Sequence, residues 1–116
     1  MEKKNEVLDL SFEFALAVIA YCEELEACKK FVVARQLLKA GTSIGANVRE
    51  AQNAESKEDF VHKMKIAAKE ADETTYWLEL CRKAENFPNP EVLIQQVESI
   101  RKLLNSILGT LKRKKM

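Results

Sequence analysis

Apolar residues recur in alternating steps of three and four through most of this 116-residue chain. One stretch reads Phe60, Met64, Ala67, Ala71, Thr74, Leu78 and Cys81. Another reads Leu93, Val97, Ile100, Leu104, Ile107 and Leu111. A third reads Ala34, Leu37, Gly41, Ile44, Val48 and Ala51, and the chain begins with Val7, Leu10, Phe14, Ala17 and Tyr21 before that pattern blurs. Residues three and four apart share one face of an α-helix, so each set predicts the buried stripe of one helix.

The breaks between these stripes set the expected boundaries. Ser56 has the position of an N-cap, with Asp59 three residues on as its capping-box partner. Asn89 precedes Pro90 and Glu91, the order of an N-cap, a first helical proline and an acid in the first turn. Near Cys28 to Phe31 no glycine or proline marks a turn; the break there rests on a change of apolar register and on Lys29 and Lys30. The helices are expected at about 5–28, 31–53, 57–86 and 90–112. Gly41, Gly45, Gly109, Pro88 and Pro90 are the only glycines and prolines, too little turn punctuation for an all-β fold. Short connections between four such helices predict a single all-α domain spanning residues 1–116, an antiparallel up-and-down four-helix bundle.

The segment KAGTSIGANVREAQ, residues 39–52, carries two of the three glycines. A Walker-type phosphate loop requires Lys and then Ser or Thr after its last glycine, and here Ala46 and Asn47 follow. Gly41 instead sits on the apolar stripe, with Gly45 beside it one turn later. Each mid-helix glycine costs roughly 1 kcal/mol relative to alanine, so close approach of another helix is the expected compensation. Asn47 flanks the same seam and Glu50 lies further out. An interhelical hydrogen bond that fixes register is the structural role expected of them, and partner contact the functional alternative.

The first helix has more apolar surface than one bundle can use. Leu8, Phe12, Ala15, Ile19 and Cys22 form a second stripe, and the two stripes together span about 200° of the helix. On the third helix Ile66, Tyr76, Trp77 and Leu80 lie away from the seam. Off-core aromatic and aliphatic clusters predict an interface, here between copies of the chain, with Phe12, Ile19 and Trp77 among its contacts.

Catalytic chemistry has no constellation to carry it. The single histidine, His62, has only Glu58 one turn away, and two ligands do not make a metal site. Glu70 and Glu73 sit one turn apart, but the di-iron bundle motif needs two Glu-x-x-His helices. No serine or cysteine has a His or Asp partner at a telling spacing. No enzyme activity, cofactor, metal or small-molecule substrate is expected. Cys22, Cys28 and Cys81 are odd in number and lack CxxC spacing, as free thiols of a reducing, cytoplasmic compartment would be. The longest apolar run, residues 14–20, is too short to span a bilayer.

The formal net charge is +1, but it is unevenly spread. Residues 1–30 carry four lysines and seven acids, and residues 88–116 carry six basic residues and two acids. Lys112, Arg113, Lys114 and Lys115 close the chain, with Arg101 and Lys102 upstream on the fourth helix. Such a basic end is either a solvated tail or a phosphate-binding footprint.

Taken together, Gln36, Leu37, Ser43, Ile44, Asn47, Glu50, Phe60, Ala67, Glu70, Glu73 and the YWL at 76–78 resemble a known family. The chain is similar to bacterial four-helix bundle proteins first met as reading frames within intervening sequences of 23S ribosomal RNA genes, many of which carry a ribosomal-protein label. Where many of them have glycine after the glutamate matched by Glu50, this chain has Ala51, which implies a helix running straight on. The resemblance implies a homo-oligomer, a homopentameric ring. It also extends to the accessory variability determinant of diversity-generating retroelements, which partners a reverse transcriptase and binds nucleic acid. Read with the basic end of the chain, the expected function is a non-enzymatic, ring-forming protein that binds RNA or a nucleic-acid-associated protein, with Arg101, Lys102 and residues 112–115 as the phosphate contacts that charge alone suggests. The alternative is a protein-interaction scaffold or adaptor that binds no nucleic acid.

Overall fold

The structure, a computed structural model, describes residues 5–114, with the side chains of the last two left out. Four helices follow one another: α1 (Glu6–Ala27), α2 (Phe31–Ala51), α3 (Lys57–Lys83) and α4 (Glu91–Lys114). α1 packs beside α2, α2 beside α3 and α3 beside α4, and a slighter α4–α1 contact closes the bundle. The diagonal helices stay apart: no Cα of α1 comes within 8 Å of a Cα of α3. The molecule measures 49 × 29 × 21 Å, and α3 alone accounts for roughly 40 Å at 1.5 Å per residue.

The core is built from the expected stripes. Phe14, Val18, Leu25, Leu37, Ile44 and Met64 are among the residues fully enclosed between the helices. Leu10 and Ala17 lie at its edge, and Ser11 and Val18 take the inward positions between them. The first helix therefore turns its Val7–Phe14–Val18–Tyr21–Leu25 edge inward, which leaves the Phe12–Ile19 edge outside.

Local chemistry sets the helix ends. Asn5 caps α1 by accepting from Leu8 N at 3.1 Å, and its amide donates to Gln52 Oε1 at the end of α2. Ser56 caps α3 by accepting from Asp59 N at 3.0 Å, and the Asp59 carboxylate reaches back to Glu55 N. Asn89 accepts from Glu91 N at 3.0 Å and starts α4. Two helices end two or three residues short of the expected boundaries. α2 stops at Ala51 instead of running on, because Asn53 N turns back to Glu50 O and Ala54 N to Ala51 O. α3 stops at Lys83, where Ala84 becomes extended and Asn86 takes φ 64° ahead of Phe87 and Pro88.

The α1–α2 turn shows why its sequence signal was weak. Lys29 takes φ 64°, the left-handed conformation that usually selects glycine after a helix. Lys30 N closes the turn onto Leu25 O at 2.8 Å. Lys29→Gly removes the steric cost of that conformation and should raise stability by about 0.5–1 kcal/mol, read as a higher urea midpoint.

The glycines of α2 lie against α1. A Cβ on Gly41 would come within 2.8 Å of Val18 Cγ2, and one on Gly45 within 3.2 Å of the Ser11 carbonyl oxygen. Val18 is β-branched and inside a helix, so it has little rotamer freedom with which to retreat. Gly41→Leu should cost roughly 1–3 kcal/mol in urea unfolding. Adding Val18→Ala should recover part of that loss; no recovery would place the strain elsewhere.

Candidate interaction surface

The described residues bring no catalytic group together. No cluster of three or more His, Cys, Asp or Glu among them could hold a metal ion. His62 is exposed on the outer side of α3. Nor is any helix among the described residues long and apolar enough to cross a membrane. What the described residues do present is grouped apolar surface in two places, with Val32 and Val92 exposed singly.

The first is a groove of about 800 Å³ between α1 and α2. Leu8, Ala15 and Ile19 of α1 and Thr42, Gly45 and Ala46 of α2 line it. Phe12 and Leu16, more than half exposed, stand along its α1 side. A second hollow beginning at the same Ile19 continues past Ala34 and Leu38 to Phe31. Opposite charges rim the two sides. Asp9, Glu13, Glu23 and Glu26 line the α1 edge, and Arg35 and Arg49 the α2 edge. Among the described residues none of these six makes an ion pair.

The second apolar feature is a ridge on α3 formed by Tyr76 and Leu80, both exposed. Trp77, expected at an interface, is partly buried and packs on the core, and its indole meets the Tyr76 ring in a T-shaped pair at a centroid distance of 5.3 Å. Its Nε1 is enclosed and meets no acceptor among the described residues. Tyr76, the neighbour one position back, is the aromatic ring that faces outward. Periodicity alone did not separate the two.

The polar residues of α2 divide in the same way. Glu50 reaches across to Lys63 of α3 at 2.9 Å, and that bond raises the lysine pKa. Asn47 instead donates to Ser43 O within its own helix at 2.9 Å. Of the two, Glu50 is therefore the link between helices.

The basic residues of α4 are not equivalent. Arg101 is held by Asp72 of α3 at 2.9 Å and by Glu98 at 3.3 Å. Lys102 and Lys112 are exposed and make no ion pair among the described residues. The helix continues to Lys114, but the side chains of Arg113 and Lys114, and all of Lys115, lie outside the described residues.

A buried polar cluster closes the end of the bundle near the α3–α4 connection. The Tyr21 hydroxyl donates to Pro88 O at 2.6 Å and so ties α1 to that connection. Burial raises the Tyr21 pKa, with Cys81 beside it adding to the effect. Cys22 donates to Ala34 O, and burial pushes its thiol up to about 12. Burial also raises the Cys81 thiol. Because α1 and α3 stay more than 8 Å apart at Cα, Cys22 and Cys81 are too distant for a disulfide. Only Cys28 is exposed. In the native protein at pH 8, a thiol reagent should label one cysteine rapidly, and all three only after denaturation. Rapid labelling of two would mean that the end of the bundle opens readily.

Residues 3–106 match the family model described as 23S rRNA-intervening sequence protein. The chain belongs to that family. A solved structure of a protein with unknown function from the S23 ribosomal protein family, from Bacteroides thetaiotaomicron, is 45% identical. The match covers 88% of this chain and 97% of that one with a TM-score of 0.83. No curated protein matches the sequence. The Bacteroides thetaiotaomicron protein thus shares this bundle.

Proposed function

We propose that this protein is a self-associating binding module without catalysis of its own, and that its assembled form presents the basic ends of α4 to RNA. The observation that carries this reading is the apolar surface left on α1. Phe12 and Ile19 are 56% and 43% exposed, one helical face apart from a core that is already complete. Several large apolar side chains grouped on one side of a small domain are characteristic of an interface. A homo-oligomer, with the homopentamer of the family resemblance as its expected form, covers them. Lys102 and Lys112, without an acidic partner among the described residues, then repeat once per subunit, and residues 113–115 add further basic side chains. Repetition converts weak phosphate contacts into avidity, and such contacts respond to charge, not base sequence.

Arg101 supports a second reading. Its guanidinium is already shared between Asp72 and Glu98, which leaves α4 less basic than its sequence suggests. On that reading the module is a scaffold for another protein. Filter binding with a mixed-sequence RNA at low salt separates the two. The first reading expects affinity that falls steeply with salt and drops further when residues 112–116 are removed. Equal binding by both forms, or none, assigns the module to the scaffold class.

A further inference from the structure

We propose that single-stranded RNA lies along the face shared by α3 and α4, with its phosphates on Lys65, Lys69, Lys102 and Lys112 and a base stacked on Tyr76. This rests on the RNA reading above and names both the form of RNA and the surface that takes it.

The four lysines are scattered in sequence, and the ion pairs between α3 and α4 show that they share a face. Asp72 meets Arg101, and Arg82 meets Glu91. Ten residues separate Asp72 from Arg82 and ten separate Arg101 from Glu91, so one antiparallel register satisfies both pairs. On α3, Lys65, Lys69, Asp72 and Tyr76 follow in steps of four, three and four. That spacing puts them on one stripe, the stripe that Asp72 turns toward α4. On α4, Lys112 stands eleven residues after Arg101, and Lys102 eleven after Glu91. Eleven residues make about three full turns, so each lysine projects on the same side of α4 as the residue that meets α3. In that register Lys69 is nearly level with Lys102, and Lys65 is one turn from Lys112. The four fall within about 15 Å along the bundle axis, and Tyr76 follows about 8 Å beyond Lys102.

Charge and exposure decide what such a face takes. All four lysines are exposed, and none makes an ion pair among the described residues. The acids beside them are matched already, Asp72 and Glu98 by Arg101, and Glu79 and Glu91 by Arg82. Glu58 is the exception, and it stands in the first turn of α3, where the N-terminal N–H groups of the helix offset it. The net field of the face is therefore that of its lysines. Tyr76 is 57% exposed, and Trp77, packed on the core, supports its ring from one side. A row of free cations with an open aromatic ring at its end suits a single strand. The cations track the backbone, and a base with an uncovered face stacks on the ring. In a duplex the neighbouring base pairs cover those faces, so Tyr76 would meet none of them, and binding would fall to phosphates and sugars alone.

Fluorescence anisotropy on the full chain tests this with a labelled oligouridine of about 20 nucleotides, longer than the face, and an RNA duplex of the same length. At low salt the oligouridine should bind more tightly than the duplex. Lys65→Gln with Lys69→Gln should weaken its binding about tenfold and make the slope of log K against log salt shallower by about 1.4, the value for two phosphates of a single strand. Tyr76→Ala should weaken it about tenfold with the slope unchanged, and Tyr76→Phe should keep the affinity, because stacking uses the ring and not the hydroxyl. All three positions are exposed, and an unchanged urea midpoint separates these losses from unfolding. Binding that is lost on removing residues 112–116 but untouched by the α3 variants overturns the shared face and leaves the reading above standing. A duplex bound as tightly as the single strand, or equal losses with Ala and Phe at position 76, overturns the single-strand assignment. A full chain that binds neither RNA overturns both proposals.

Discussion

The close approach of α2 to α1 is the constraint on which the rest of the structure depends. Gly41 and Gly45 leave α2 without side chains where Val18 and Ser11 press against it. That contact sets the spacing of the first two helices and the height of every residue along them. It also creates the groove. The α2 face that meets α1 continues outward as Thr42, Gly45 and Ala46, which are too small to cover the outer edge of α1. A larger residue at these positions would widen the helix pair and fill the space above Leu8 and Ala15. The same small residues thus hold the pair together and leave Phe12, Leu16 and Ile19 without intramolecular cover.

Most of the fold was legible because helical period reports the angle of a residue around its helix. Four stripes gave four buried faces, and Ser56 and Asn89 gave two starts. Period does not report how near a neighbour comes or how it is tilted. Trp77 and Tyr76 are adjacent in sequence and both off the α3 seam, yet one packs on the core and the other faces out. Asn47 and Glu50 illustrate the same limit. Both flank the α2 seam, but only the longer and more peripheral Glu50 reaches the next helix. The α1–α2 turn was obscure for a different reason. There the backbone turns without the residue that usually permits it, as Lys29 at positive φ shows.

α4 is held asymmetrically. Its contact with α3 is the broader one, strengthened by Asp72–Arg101 and Glu91–Arg82, and its contact with α1 is slight. The Tyr21 hydroxyl partly offsets this by fixing the connection that leads into α4. These exposed ion pairs contribute little to stability singly, at about 0–1 kcal/mol each. They do determine which cations remain available. Arg101 is committed to α3, whereas Lys102 and Lys112 are not, although in sequence all three belong to one basic helix.

A formal charge of +1 conceals strong segregation, and the segregation bears on what the chain binds. A protein whose only task was to hold a polyanion would gain from an excess of one sign over its surface. This one carries acids along α1 and bases along the facing edge of α2. Such an arrangement contributes nothing to overall charge but discriminates between orientations of an approaching helix, since like charges placed together oppose docking. Self-complementary surfaces need both signs in balance, and the near-neutral chain meets that requirement. A basic contribution toward nucleic acid must then come from outside those surfaces, and the free lysines of α4 lie there. The two charge systems are compatible because they occupy different helices. Self-association is the proposal that the geometry supports better, and on it any phosphate contact would draw its strength from the number of α4 ends brought together.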